Sequence, residues 1–364
     1  MQFKFHMPTK AYFGAGCIAK NSSELATFGH KALIVTGGSS AQKSGALSDI
    51  CNVLKEQNVE HFIFDKVENN PCLDTVKAGS DEARKFGAEF IVGIGGGSPI
   101  DAAKAIAVLA ANNIEPVELF TNKFKNKPLP IIAIPTTAGT GSEVTPYSVL
   151  MRSDLQTKGS FGNDDTFPKI AFLDPRYTES MPLEITVNTG VDAFSHCLEG
   201  YLGNRQTPAC DLLAQEGFKI FGHCLESLRS GKVNYDDREN LLYMSMLGGM
   251  VIAHTGTTIV HGMGYNLTYF KGIPHGKANG YLMAEYLRFN YEFAKDRIDN
   301  ILELVQLDSI DAFGEVMTEL LGKAPHLDEA EIAQYAKITM TQKSTATNIR
   351  PVKGSDIADI LREM

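Results

Sequence analysis

In the first half of this 364-residue chain, short apolar runs alternate with segments of helical character, and this alternation constrains the fold most. K-A-L-I-V-T at residues 31–36, E-H-F-I-F at 60–64, F-I-V-G-I at 90–94 and L-P-I-I-A-I at 129–134 read as strands. Each is too short for a stable helix, and most are apolar on consecutive positions, as strands covered on both faces are. Residues 44–57, 74–87 and 99–111 lie between them with the length and pattern of helices. Such alternation predicts a mainly parallel sheet covered by helices. F-K-F-H-M and A-Y-F-G near the start read as a separate hairpin.

After I-A-F-L-D-P at 170–175 the texture changes. Apolar residues recur at helical spacing through 184–201, 208–228, 237–254 and 276–294, and strand-like runs nearly vanish. Pro175 and Pro182 bracket the change, which places a boundary near residue 180 between an α/β domain (1–180) and an all-α domain (181–364). The length allows each domain its own core.

A hydrophobic content of 43% and a charged content of 21% are those of an ordinary soluble globular protein. A net charge of −9 argues against a nucleic-acid or anionic-membrane surface. The first ten residues, M-Q-F-K-F-H-M-P-T-K, lack the apolar stretch of a signal peptide, and no run approaches the roughly 18 apolar residues of a membrane span. The six cysteines form no C-x-x-C pair, so reduced thiols in a cytoplasmic protein are expected.

Two turns carry ligand chemistry. G-I-G-G-G-S-P-I-D, residues 93–101, joins a strand to a helix, with Gly96 and Gly97 allowing close approach of a phosphate. Ser98 is the expected N-cap, Pro99 fits the first helical position, and Asp101, three residues after the cap, is expected to join Gly96, Gly97 and Ser98 in binding the cofactor. The segment departs from G-x-G-x-x-G because Ser98 takes the last glycine position. P-T-T-A-G-T-G-S-E-V-T, residues 135–145, follows the fourth strand, and Thr136, Thr137, Thr140 and Ser142 are placed to line a crevice at the strand ends.

In the second half, Asp192 and His196 stand four apart in T-G-V-D-A-F-S-H-C-L-E-G and share a helix face. His261 and His275 each precede a glycine, in V-H-G-M-G-Y-N-L and P-H-G-K-A-N-G. One carboxylate and three imidazoles suit divalent iron or zinc, and an ion with an open position can polarise an alcohol or carbonyl oxygen. His254 reads as structural; His6, His30, His61 and His223 read as ordinary, partly exposed side chains.

Taken in order, G-G-G-S-P-I-D, P-T-T-A-G-T-G-S-E-V-T, G-V-D-A-F-S-H-C-L-E-G-Y, H-G-M-G-Y and H-G-K-A-N-G resemble the iron-containing (group III) alcohol dehydrogenase family, on the short-chain-alcohol and 1,3-propanediol dehydrogenase branch. The match runs from Y-F-G-A-G to T-N-I-R-P. The resemblance implies an N-terminal dinucleotide-binding domain, a C-terminal helical metal-binding domain and an active site in the cleft between them. It carries the metal role onto Asp192, His196, His261 and His275, and cofactor contacts onto Asn70, Gly97, Ser98, Thr137, Thr140 and Lys158. It also implies Fe²⁺ ahead of Zn²⁺, a homodimer or larger assembly, and reversible hydride transfer between a nicotinamide cofactor and a small primary alcohol, diol or aldehyde. Many relatives have a second histidine where this chain has Tyr265, which will not titrate near neutrality.

Sites that prefer NAD place a carboxylate near a strand end to bind the ribose 2′-OH. Here the strand at 31–36 runs into Gly37-Gly38-Ser39-Ser40-Ala41-Gln42-Lys43, with no acid. Gly37, Ser39, Ser40 and the nearby lysine accommodate a 2′-phosphate instead, so NADP(H) is the expected preference over NAD(H). The substrate pocket is expected around Phe194, Gly200, Met246, Met250 and Phe270. A glycerol or polyol dehydrogenase, a lyase of the dehydroquinate-synthase type and a non-catalytic nucleotide-binding protein are the competing readings. Turnover of NADPH with a panel of small aldehydes separates all three.

Overall fold

The computed structural model describes residues 2–364. It forms two compact units: Met7–Met181, and Pro182–Met364 together with residues 2–6.

Unit Met7–Met181 is built on a parallel sheet of six strands in the order β1-β8-β5-β4-β2-β3. These are β1 Lys10–Phe13, β2 Lys31–Val35, β3 Glu60–Phe64, β4 Phe90–Gly95, β5 Ile131–Pro135 and β8 Ile170–Leu173. The consecutive apolar residues serve two cores. Ala32, Ile34, Phe90, Val92, Ile94, Ile132 and Ile134 face one side, with Ile50, Val53 and Leu54 of the helix Ala46–Glu56. Leu33, Val35, Ile91 and Ile131 face the other, with Val76 and Ala83 of the helix Leu73–Phe86 and the buried face of Gly97–Ala111. Alternate residues point to opposite faces, so a strand buried on both sides must be apolar throughout.

Two expectations need correction here, and one element is new. The N-terminal hairpin does not form: β1 pairs parallel with β8, Lys10 opposite Ile170. Its partner lies some 160 residues away, and no turn signal could announce it. Ser98 is not the N-cap. The cap is Gly96, and the helix starts at Gly97, so Ser98 and Pro99 lie within its first turn. An antiparallel pair, β6 Ser148–Arg152 and β7 Thr157–Phe161, was not foreseen.

The second unit is helical. Leu183–Tyr201 runs through its core, buried along almost its whole length, and packs against Pro208–Ser230, Tyr235–Thr255 and His275–Val305. Local signals set several starts. Thr207 caps Pro208–Ser230 with Pro208 at its first position, and Asn234 and Asp237 form a reciprocal capping box before Tyr235–Thr255. The helix Ile259–Lys271 follows, and the long helix His275–Val305 is interrupted at Ala294, whose φ of −143° is non-helical. Residues 2–6 join this unit through Phe5, stacked on His254 at 4.2 Å, and the His6 N–H, which donates to His254 Nε2 at 2.9 Å. His254 is thereby given a structural role.

Phe194 is a core residue rather than a pocket wall: it is fully buried against Phe218, Phe221 and Phe313. Gly200 is likewise buried, and a Cβ there would meet Val251 Cγ1 at 2.1 Å. Phe270 stacks on Tyr335. Met246 and Met250 are half-buried.

Candidate metal and nucleotide sites

Asp192 and His196 project from one face of Leu183–Tyr201, His261 from the start of Ile259–Lys271, and His275 opens the helix that bears its name. Asp192, His261 and His275 come together, each offering one ligand atom, all within 4.8 Å of one another. Asp192 Oδ1 lies 3.9 Å from His261 Nε2 and 4.0 Å from His275 Nε2. His196 reaches the trio through His261, their Nε2 atoms 3.1 Å apart and their rings stacked. Asp192, His196 and His261 are buried, whereas the His275 side chain is 23% exposed and marks the open side.

Three of these positions were joined by helix packing that glycine permits. A Cβ at Gly276 would lie 1.9 Å from the Asn188 carbonyl oxygen and 2.9 Å from Asp192 Cβ. A Cβ at Gly264 would lie 2.1 Å from Asn279 Oδ1. The glycine after His275 is therefore a packing requirement of the site.

Two residues were missed in the sequence, Glu199 and Asn279. Glu199 is fully buried and accepts from His261 Nδ1 with Oε2. Its Oε1 accepts from Thr258 N–H and Thr258 Oγ1, both at 2.7 Å, and from His261 N–H at 3.2 Å. Burial opposes ionisation of this carboxyl, but the His261 imidazole and the hydrogen bonds from His261 and Thr258 hold it below its ordinary range. With its Nδ1 proton directed to Glu199, His261 turns the Nε2 lone pair toward Asp192 and His275. Asn279 Nδ2 donates to Asp192 Oδ1 at 3.0 Å and stands 3.3 Å and 3.4 Å from the Nε2 atoms of His261 and His275. Glu199 sits one helical turn beyond His196, the only hint of it in the sequence. Tyr265 stacks on His275 at 5.2 Å and meets His261 edge-on.

The donor set fits a divalent iron or zinc ion. Nitrogen and carboxylate oxygen atoms converge, and a buried carboxylate facing imidazoles has a charge that a cation would balance.

In the other unit, β2 and β4 are neighbours although β2 connects onward to β3 and β4 to β5. Strand order reverses between them, and open parallel sheets bind ligands beyond the carboxyl ends of strands at such a reversal. Gly37 and Gly38 follow β2, and Gly96 and Gly97 follow β4. The glycine-rich turn packs against the threonine loop. A Cβ at Gly96 would meet Thr137 at 3.3 Å, and one at Gly97 would meet Thr140 at 2.8 Å. Asn70, at φ 56°, donates its N–H to Ser98 Oγ at 3.1 Å. Gly37 is buried and a Cβ there would come 1.9 Å from the Val67 carbonyl oxygen, whereas Gly38, Ser39 and Lys43 are exposed and Ser40 is half-exposed.

The structure thus brings Asn70, Gly96, Gly97, Ser98, Thr137 and Thr140 together. Asp101 departs from the expectation of a cofactor contact. Its carboxylate is engaged inside the unit, Oδ1 accepting from Ser142 Oγ at 2.5 Å and Oδ2 from Val149 N–H at 2.9 Å. Thr136 and Lys158 are also buried, Lys158 within the β6–β7 pair opposite Met151. Burial raises the Asp101 carboxyl and lifts Glu143 to about 7, and it pushes the Lys104 ammonium down to about 8. These groups form one charged cluster in the core.

Family models describing iron-containing alcohol dehydrogenase and the C-terminal part of that family match residues 8–175 and 186–364. The chain is 30% identical to 1,3-propanediol dehydrogenase of Klebsiella pneumoniae, covering 99% of this chain and 98% of that protein. It is 30% identical to an NADPH-dependent butanol dehydrogenase of Clostridium saccharobutylicum, over 84% of this chain and 78% of that one. Among solved structures, an iron-containing alcohol dehydrogenase of Thermotoga maritima superposes with a TM-score of 0.93 at 38% identity, covering 100% of this chain and 99% of that one.

Proposed function

We infer that this chain, which belongs to the iron-containing alcohol dehydrogenase family, interconverts small alcohols and aldehydes with a nicotinamide cofactor as hydride carrier. The observation that carries the reading is the convergence of Asp192, His261 and His275, with His196 against His261, on one buried point with an open side. We assign these four residues as the ligands of a divalent ion, Fe²⁺ ahead of Zn²⁺. When bound, the ion supplies a Lewis acid for the alcohol or carbonyl oxygen, and the nicotinamide supplies the hydride donor or acceptor.

The chain's own residues do the rest. Glu199 holds the His261 ring and directs its Nε2 lone pair inward, while Asn279 holds the Asp192 carboxylate. The ring of Tyr265 stacks on His275 and limits its rotation. In the α/β unit, the N–H groups at the start of Gly97–Ala111, with Asn70, Ser98, Thr137 and Thr140 beside them, would hold the cofactor's pyrophosphate.

We further propose NADP(H) as the preferred carrier. The exposed Gly38 and Ser39 and the half-exposed Ser40 offer a 2′-phosphate space and hydroxyls beyond the buried Gly37, with no acid among them to repel it. A cytoplasmic homo-oligomer belongs to the same reading, and sizing of the purified protein tests the assembly. Metal analysis of protein purified without oxygen, combined with NADPH oxidation by a panel of small aldehydes, tests the whole. The expected result is about one Fe²⁺ per chain and aldehyde-dependent turnover. Full metal content and activity in Asp192→Ala or His275→Ala would overturn the ligand assignment.

A further inference from the structure

We propose that Lys104 is a positioning residue for the cofactor: its buried ammonium fixes the loop 136–147 against the helix that follows the glycine-rich turn. The inference rests on the nucleotide reading given above. Lys104 lies on Gly97–Ala111 and is fully buried. Its ammonium donates to Ser142 Oγ at 2.8 Å and to the Tyr147 carbonyl oxygen at 2.6 Å, with Thr145 Oγ1 at 3.5 Å and the Asp101 carboxylate at 3.8 Å. Ser142 Oγ in turn donates to Asp101 Oδ1 at 2.5 Å. Asp101 extends the tie, accepting from Val149 N–H at 2.9 Å with its carboxylate and from Ser148 Oγ at 2.8 Å with its carbonyl oxygen. One turn of helix, Asp101 to Lys104, thereby holds five consecutive-region groups between Ser142 and Val149.

That loop needs an external anchor. Between β5 and β6 its only regular structure is the three-residue turn Ser142–Val144, yet most of it is buried. A buried loop without a ladder must find its hydrogen bonds elsewhere. Its upstream half carries Thr137 and Thr140, which lie against Gly96 and Gly97. Fixing the downstream half therefore sets where those threonines stand beside the phosphate-facing turn. An apolar side chain would fill the same space without the desolvation cost of an ammonium. What Lys104 adds is direction, because its donors are aimed at separate loop oxygens.

Calorimetric titration of NADPH and of NADH into wild type, Lys104→Met and Ser142→Ala, each at its native metal content, tests this. Lys104→Met is expected to weaken cofactor binding by about tenfold, the scale of one lost charge-assisted hydrogen bond. Ser142→Ala is expected to weaken it by a smaller factor, with metal content unchanged in both. A core lysine with only a packing role would move the melting temperature and leave the dissociation constant alone. Wild-type affinity in both folded variants overturns the inference. Should Lys104→Met not fold, Ser142→Ala decides by the same criterion. A wild type that binds neither cofactor overturns the functional reading, and this inference with it.

Discussion

The backbone of Asn188 and residue 276 stand so close that a Cβ at Gly276 would fall 1.9 Å from the Asn188 carbonyl oxygen. His275 is placed by this contact, because the first turn of its helix rests directly on the helix that carries Asp192 and His196. Gly276→Ala must push the two helices apart. The expected cost is about 1–3 kcal/mol of stability, together with loss of metal affinity as His275 is displaced. Chelator competition on the folded variant checks this; unchanged metal affinity would show that the contact does not set the site.

Glu199 divides its acceptors between His261 Nδ1 on one oxygen and Thr258 and His261 N–H donors on the other. A glutamine there meets a donor with its own NH₂ in either orientation. To accept that NH₂, His261 must move its proton to Nε2, where the ion would bind. Glu199→Gln is expected to lower metal affinity by roughly 10–100-fold. An affinity equal to wild type would show that the carboxylate does not orient the ring.

Cofactor preference should follow the turn after β2. The ratio kcat/KM is expected to be clearly higher with NADPH than with NADH, because no acid waits for a ribose 2′-OH between Gly37 and Lys43. Gly37→Asp should not reverse the preference, since its Cβ would lie 1.9 Å from the Val67 carbonyl oxygen. It should instead weaken both cofactors. Steady-state kinetics with each cofactor decides, and a clear NADH preference in the wild type would refute the assignment.

Stability should depend on Glu143. Burial lifts its carboxyl from 4.5 to about 7, so between those values the folded protein holds a proton that the unfolded chain has released. The associated stability is complete below the unfolded value and is lost as pH rises through about 7. Glu143→Gln stays neutral, so it should match wild type near about pH 4 and exceed it near about pH 7.5. The gain should amount to a few degrees in Tm, at roughly 2–4 °C per kcal/mol. Staying below the Lys104 value of about 8 keeps the opposite contribution of that ammonium out of the comparison. Equal pH dependence in both proteins would count against a buried neutral Glu143.

Much of the fold was legible because it is local. The four strands foreseen at 31–36, 60–64, 90–94 and 129–134 appear as β2, β3, β4 and β5 within a residue or two, since a run of apolar residues fixes both the pleat and the burial of its two faces. Helix starts at Pro208 and Tyr235 are similarly written in their caps. The failed hairpin shows the limit: Lys10–Phe13 has the composition of a strand, but its partner Ile170–Leu173 is chosen by the order of the sheet.

The sequence by itself determined the residue types that carry the chemistry: a carboxylate and three imidazoles in one half, and glycines and threonines at strand ends in the other. Only the tertiary structure decided how those groups are held. Glu199 meets His261 across 62 positions, and Lys104 meets Ser142 across 38. Asp101 turned from the phosphate-facing turn toward the loop beneath it for the same reason. Local periodicity fixes which face of an element is apolar; a buried polar group must find its partner on whichever element packs against that face, and close glycine contacts set that packing.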